Sequence, residues 1–254
     1  MTSKISYPKE GNTLCYQLEE NSYWFTHRNE CIISLVKRFA KHDTFIDIGG
    51  GNGFVSLGLQ NAGIKSVLLE PNKNGIRNAK KRGLKNVLCS SLEDAKFGEQ
   101  SIHSAGIFDV LEHIENDTEF LIRLHSSLKK TGFLFITVPA IQFLWSDEDE
   151  FAGHFRRYTI HSLKGKLQNA GFTVVYSTHI FSILLLPILL FRSIPSIFRK
   201  RKEGDSSNYQ IQHKPSLSVT SLLLRYCFAS EIAWINKLKY IPFGSSCLVV
   251  AQNN

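Results

Sequence analysis

The 254-residue chain has no CxxC pair, no internal repeat and no apolar run long enough to span a bilayer. Its five cysteines, Cys15, Cys31, Cys89, Cys227 and Cys247, are odd in number and scattered, which argues against a disulfide framework or a zinc cluster. A reducing, cytoplasmic setting is the expectation. The opening residues, MTSKISYPKEGNT, lack the apolar stretch of a cleaved signal peptide. Acidic residues number 22 against 30 Lys and Arg, a formal charge of +8 that suits nucleic acid, an anionic membrane face or acidic substrates without choosing among them. With 43% hydrophobic and 20% charged residues, the composition is that of a globular chain.

What is present is an alternation. From Thr44 to Pro139, TFIDI, SVLLE, NVLCS, SAGIF and FLFITVP are short β-rich runs separated by helix-length spacers. That spacing is the signature of crossover units on a parallel sheet. The segment 18–39 reads as a helix with Ile32, Leu35, Val36 and Phe39 on one face. A helix from near Thr159 to Gly171 and a strand TVVYSTHI continue the alternation. Beyond 181 the chain becomes strongly apolar and then basic, passes through a polar linker at 203–216 and a further amphipathic helix, and ends in the strand SSCLVVA.

The stretch FIDIGGGNG, residues 45–53, carries the chemistry. A strand running straight into glycines needs positive φ or brings a ligand against bare backbone. The dinucleotide fingerprint GxGxxG fails at Phe54, and the phosphate loop GxxxxGK[ST] fails because no lysine follows. Asp47 repels a pyrophosphate but attracts a ligand carrying an ammonium and a sulfonium, which points to S-adenosylmethionine. Glu70, 23 residues on and followed by Pro71, can accept both ribose hydroxyl bonds.

The loop, the acidic strand end at Glu70, IFDVLEHI at 107–114 and SSLKKTGFLFITVP together resemble a class I S-adenosylmethionine-dependent methyltransferase over roughly residues 20–180. The resemblance implies an α/β, doubly wound, mainly parallel seven-stranded sheet whose last strand enters antiparallel. It implies one domain, 1–254, with a helical cap at 18–43, a cofactor-binding core at 44–180, a helical insertion at 181–240 and the last strand at 241–254. Gly49, Gly50 and Gly51 are expected against the methionine part, Glu70 on the ribose, Ser90, Ser91 and Leu92 by the adenine, and Phe108 with Asp109 beside the sulfonium. The family often carries an aspartate where Ser91 stands. Arg28 is the expected clamp for the cofactor carboxylate. Glu112 and His113 are read as opening the helix after strand four, in structural roles.

Two segments qualify for the acceptor. In NSYWFTHRN, Trp24 and His27 cluster ahead of strand one; in LWSDEDEFAGHFRRYT, directly after strand five, His154 is the candidate general base. Arg156 and Arg157, followed by Tyr158, are candidates for binding an anionic substrate. No metal is expected, because the adjacent carboxylates 147–150 on one loop point in different directions. Nucleic acid is not expected either, in the absence of an NPPY-like motif or a basic groove with interleaved aromatics. Phe181 to Phe191 is uncharged for eleven residues, short of the ~20 a spanning helix needs. With the basic 199–202 behind it, it reads as a lid over the site or a peripheral membrane contact. The expected reaction is methyl transfer to a small-molecule or lipid-linked acceptor, at oxygen. The alternatives are a nicotinamide-dependent oxidoreductase and a non-catalytic scaffold.

Overall fold

The computed structural model describes residues 11–40, 44–198 and 219–254. The polar linker at 203–216 and the basic run at 199–202 lie outside the described residues. Seven strands form one sheet: β1 (Phe45–Ile48), β2 (Ser66–Leu69), β3 (Val87–Leu88), β4 (Ile102–Phe108), β5 (Leu128–Pro139), β6 (Phe172–Ile180) and β7 (Ser246–Asn253). Their order is β3-β2-β1-β4-β5-β7-β6, with β7 antiparallel to both of its neighbours and the other pairs parallel. The helices α3 (Phe54–Asn61), α4 (Lys73–Lys81) and α5 (Asp117–Ser127) alternate with the parallel strands, as the spacing of the apolar runs predicts.

Strand side chains alternate between faces, and β7 shows the result. Cys247, Val249 and Ala251 join the core that includes Ile107, Ile136 and Leu163. Leu248 and Val250 join a second core with Ile32, Leu35 and Val36. A strand covered on both faces has no polar alternation to show, so SSCLVVA reads as a continuous apolar run.

The predicted helix at 18–39 is α2 (Tyr23–Phe39), which starts later than expected, and a separate helix, α1 (Gly11–Leu18), precedes it. Ser22 divides them by taking an extended conformation and accepting a 3.2 Å hydrogen bond from the Trp24 N–H. After β5 come α6 (Asp147–Ala152) and α7 (Ile160–Asn169), the latter opened by a capping box between Thr159 and Ser162. The four carboxylates of 147–150 sit in the first turn of α6, where the helix dipole favours them.

The apolar insertion is helical from Ser182: a 3-10 turn, α8 (Leu185–Ile188), a π turn (Leu189–Ser193) and α9 (Ile194–Phe198). Pro187 does not break it, because a proline in a first turn lacks an N–H that has no partner there anyway. The wider π turn lies just ahead of Pro195, where a regular helix would clash with the carbonyl four residues back. Helix α10 (Val219–Asn236) packs on α2. No helix among the described residues is long and apolar enough to cross a membrane.

Candidate active site

A cavity of about 300 Å³ opens at the carboxyl ends of the parallel strands, where the sheet order reverses between β1 and β4. The glycine loop forms one wall. A Cβ on Gly50 would lie 2.4 Å from Asp47 Oδ2 and 2.6 Å from Leu68 Cδ1, so only glycine fits. Gly51 has φ of 55°, and a Cβ there would meet only Asn12 Oδ1 within 4 Å, at 3.6 Å: its open side faces the cavity.

Two carboxylates frame this loop. Asp47 is fully buried; its Oδ2 accepts a 2.8 Å bond from Ser56 Oγ, while Oδ1 has no hydrogen-bond partner among the described residues. Burial raises its pKa to about 6, against the Ser56 bond and the charge of Arg28. Glu70 receives the Gly51 N–H at 2.9 Å and the Asn72 N–H at 2.7 Å, one on each oxygen, which fixes the carboxylate and leaves a lone pair on each for a diol. Burial outweighs these two bonds and raises its pKa. A bare loop, an unpaired buried carboxylate for a cation and a second carboxylate with acceptor capacity fit S-adenosylmethionine. Asn52, missed in the sequence, pins the loop through a 2.8 Å bond to the Asn12 carbonyl. Pro71, Ser90, Ser91 and Leu92 also line the cavity. Ser91 Oγ donates to Asp94 at 2.9 Å, so the hydroxyl standing at the family's aspartate position is tied to an aspartate three residues on.

Asp109, at the end of β4, takes φ of 54°, a left-handed conformation costing an L-residue ~1–2 kcal/mol. Its N–H bonds the Thr137 carbonyl at 2.9 Å, Thr137 Oγ1 donates to Oδ1 at 2.9 Å, and Arg28 pairs with Oδ2. Three bonds hold the residue in this strained conformation. Arg28, the expected clamp for the cofactor carboxylate, lines the cavity with its guanidinium on Asp109. Trp24 lines the wall and stacks on Phe181, centroids 3.7 Å apart, and Phe108 lines it beside Asp109. His27 turns away: its Nε2 lies 2.8 Å from Glu231 Oε2 on α10, outside the cavity.

The loop after β4 and the chain after α6 supply the remaining chemistry. Gly153, at φ of 76°, ends α6 and returns His154 to the cavity. His154 Nδ1 donates to Asp149 Oδ1 at 2.8 Å, which leaves Nε2 facing Glu112 Oε1 at 4.0 Å. Arg157 grips the same aspartate bidentately, with both bonds at 2.8 Å. Burial would raise the Asp149 pKa, but the His154 and Arg157 bonds pull it to about 2.

Glu112 and His113 do not open a helix. They form a 3-10 turn, Leu111–His113, and α5 begins only at Asp117 behind its cap Asn116. Both side chains line the cavity. Burial, then the neighbouring Asp109 charge, raises the Glu112 pKa well above the carboxylate range. Burial, then the neighbouring His154, lowers that of His113 to about 3, so its imidazole is neutral. Arg156 and Tyr158 are not at the site. Both meet Asp117 Oδ2, at 2.9 and 2.8 Å, and Tyr158 is buried.

A family model for a methyltransferase domain matches residues 24–177, more than half of the chain. None of the curated proteins matches the sequence significantly. Among solved structures, an S-adenosylmethionine-dependent methyltransferase of Thermotoga maritima is similar, with a TM-score of 0.56 at 16% identity over 95% of this chain and 94% of that one. One from Archaeoglobus fulgidus gives 0.56 at 20% identity over 91% and 99%. A phosphoethanolamine N-methyltransferase of Haemonchus contortus, in complex with S-adenosylmethionine, gives 0.59 at 15% identity over 97% of this chain and 57% of that one. At such identities the likeness to these structures is one of fold. The family match completes the assignment: the chain belongs to the methyltransferase domain family and is an S-adenosylmethionine-dependent methyltransferase of the Rossmann-like class.

Proposed function

We propose that this methyltransferase acts on a hydroxyl group of a small-molecule, lipid-linked or glycan-linked acceptor. S-adenosylmethionine supplies an activated methyl group and leaves as S-adenosylhomocysteine. The protein has to align the acceptor, an effect worth ~7 to 11 kcal/mol when the geometry is right. A hydroxyl must also lose its proton. The observation that carries the reading is the Asp149–His154 pair, which aims an imidazole nitrogen into the cavity that holds the glycine loop.

The other residues have supporting parts. Glu70 orients the cofactor diol, Asp47 answers its positive charge, and Asp109, held by Arg28 and Thr137, borders the reacting centre. Ile188 and Trp24 give the cavity an apolar wall, which suits an acceptor with an apolar part. Arg192 also lines it and pairs with Glu148 at 2.7 Å, an ion pair that an anionic acceptor group can compete for.

Incubating the purified chain with labelled S-adenosylmethionine and fractions of cell extract, then identifying the labelled product, tests the proposal. An O-methylated product is expected. Exclusive methylation of nitrogen or carbon would overturn the hydroxyl reading.

A further inference from the structure

We propose that Glu112, His113 and His154 form a binding site for a divalent transition cation at the acceptor end of the cavity. One donor atom from each lies within 4.8 Å of the others. Ligands of such a cation sit ~2.0–2.2 Å from it, so in a tetrahedral shell pairs of them stand ~3.3–3.6 Å apart, about an ångström closer than here. The set therefore closes by a small side-chain movement and needs no rearrangement of the backbone.

The carboxylate argues for an occupant. Glu112 is 0% exposed, and no hydrogen bond from another described residue reaches either oxygen. An unsatisfied buried polar group costs about 1–3 kcal/mol, and more if charged. Arg28 acts on it through its charge but is paired with Asp109, and the groups beside it are two imidazoles, each able to offer a lone pair that a cation can share with a carboxylate.

Each histidine is already oriented from behind. Asp149 holds His154 through Nδ1 at 2.8 Å and is itself clamped by Arg157, the carboxylate–histidine arrangement that orients metal ligands. His113 is held by the Gly153 backbone and meets the His154 ring edge-on at 4.8 Å. Asp109, nearby on the same loop, is engaged by Arg28 and Thr137 and does not join.

Two imidazoles and one carboxylate select a nitrogen-tolerant ion such as Zn²⁺ or Co²⁺ over Mg²⁺ or Ca²⁺, which prefer all-oxygen shells. Three protein ligands leave coordination positions open, as in catalytic sites. The role of the cation rests on the methyl-transfer reading: when bound it would lower the pKa of an acceptor hydroxyl so that the proton passes to water, and His154, its Nε2 then a ligand, would take the place of a positioning group rather than of the base. The existence of the site does not depend on that reading.

The test uses the full chain, stripped with a chelator and titrated with Zn²⁺, Co²⁺ or Mg²⁺ by calorimetry, with the visible spectrum recorded for Co²⁺. We expect one Zn²⁺ or Co²⁺ per chain, Co²⁺ absorption bands of a nitrogen- and oxygen-ligated ion, and little response to Mg²⁺. Glu112→Gln and His113→Asn should each weaken binding at least tenfold, and Asp149→Asn about ten- to a hundredfold through loss of the orienting bond. S-adenosylhomocysteine binding, measured on the same samples, reports separately on the methyltransferase reading. Absence of Zn²⁺ and Co²⁺ binding, or equal binding by a Glu112→Gln/His113→Asn double variant, would overturn the site.

Discussion

Asp149 joins His154 to Arg157: one carboxylate takes the imidazole Nδ1–H and both arms of the guanidinium, each bond 2.8 Å long. Asp149→Asn leaves a nearly buried Arg157 without its counter-charge, a loss of about 3 kcal/mol at neutral pH. Denaturant unfolding of the two proteins measures it. The aspartate is pulled to about 2 in the folded chain and titrates near ~3.9 unfolded, so its contribution is full above ~4 and fades as pH falls toward 2. The gap between wild type and variant should narrow over that interval.

Glu70→Ala removes the acceptor of the Gly51 and Asn72 N–H groups and, on the proposed reading, of the cofactor diol. Calorimetry with S-adenosylhomocysteine should show affinity lower by about tenfold or more, as expected for lost hydrogen bonds to a charged group. Unchanged affinity contradicts the ribose assignment.

Asp47 gives the cofactor site a pH dependence. With its pKa raised to about 6, the carboxyl is mostly protonated at pH 5 and ionised at pH 7. A cationic ligand prefers the ionised form, so the affinity for S-adenosylmethionine, with its sulfonium and ammonium, should rise through pH 6 and level off above it. Asp47→Asn should bind more weakly at pH 7 and lose the dependence. For the protein alone the sign is opposite: the folded state holds the proton more tightly than the unfolded, so this residue's contribution to stability falls as pH rises from ~4 to 6.

Glu231 ties α10 to the start of the apolar insertion. It meets His27, accepts the Phe181 and Ser182 N–H groups at 2.9 and 2.6 Å, and takes the Ser182 hydroxyl. Burial works against its ionisation, but His27 and Ser182 win and lower its pKa. Glu231→Ala should destabilise the chain by about 3 kcal/mol, as removing one partner of a buried pair does. Hydrogen exchange should accelerate in 182–198 while the amides of β4 and β5 stay protected.

Leu186, Leu190 and Phe191 are exposed on the insertion whose Ile188 and Arg192 line the cavity. If the acceptor is lipid-linked, this surface meets the bilayer. The chain should float with anionic vesicles at low salt, and Phe191→Asp should reduce the floated fraction. Wild type that stays in solution at every salt concentration removes the membrane contact.

The sheet and the glycine loop were legible because their causes are local: apolar runs of strand length, helix-length spacers and a backbone that admits no Cβ at Gly50. The acceptor end was not. Past Gly153 the chain is extended, so Arg156 and Tyr158 face Asp117 while Arg157 between them faces Asp149, and nothing in the string FRRY says which arginine lies inward. His27 sits one residue from the cavity-lining Arg28, yet its partner Glu231 is 204 residues away. Glu112 and His113 were misplaced because Asn116, rather than the strand end, sets where α5 begins.

The position of β7 also shapes how the chain folds. It follows β6 in sequence but lies between β6 and β5 in the sheet, so until residues 246–253 have left the ribosome β5 presents an open edge and β6 has no partner strand. Pairings this far apart in sequence form slowly, and an unpaired central edge can join another chain. Synthesis of this protein therefore passes through a stage in which most of the cofactor loop's neighbours exist but the sheet that carries them is still divided.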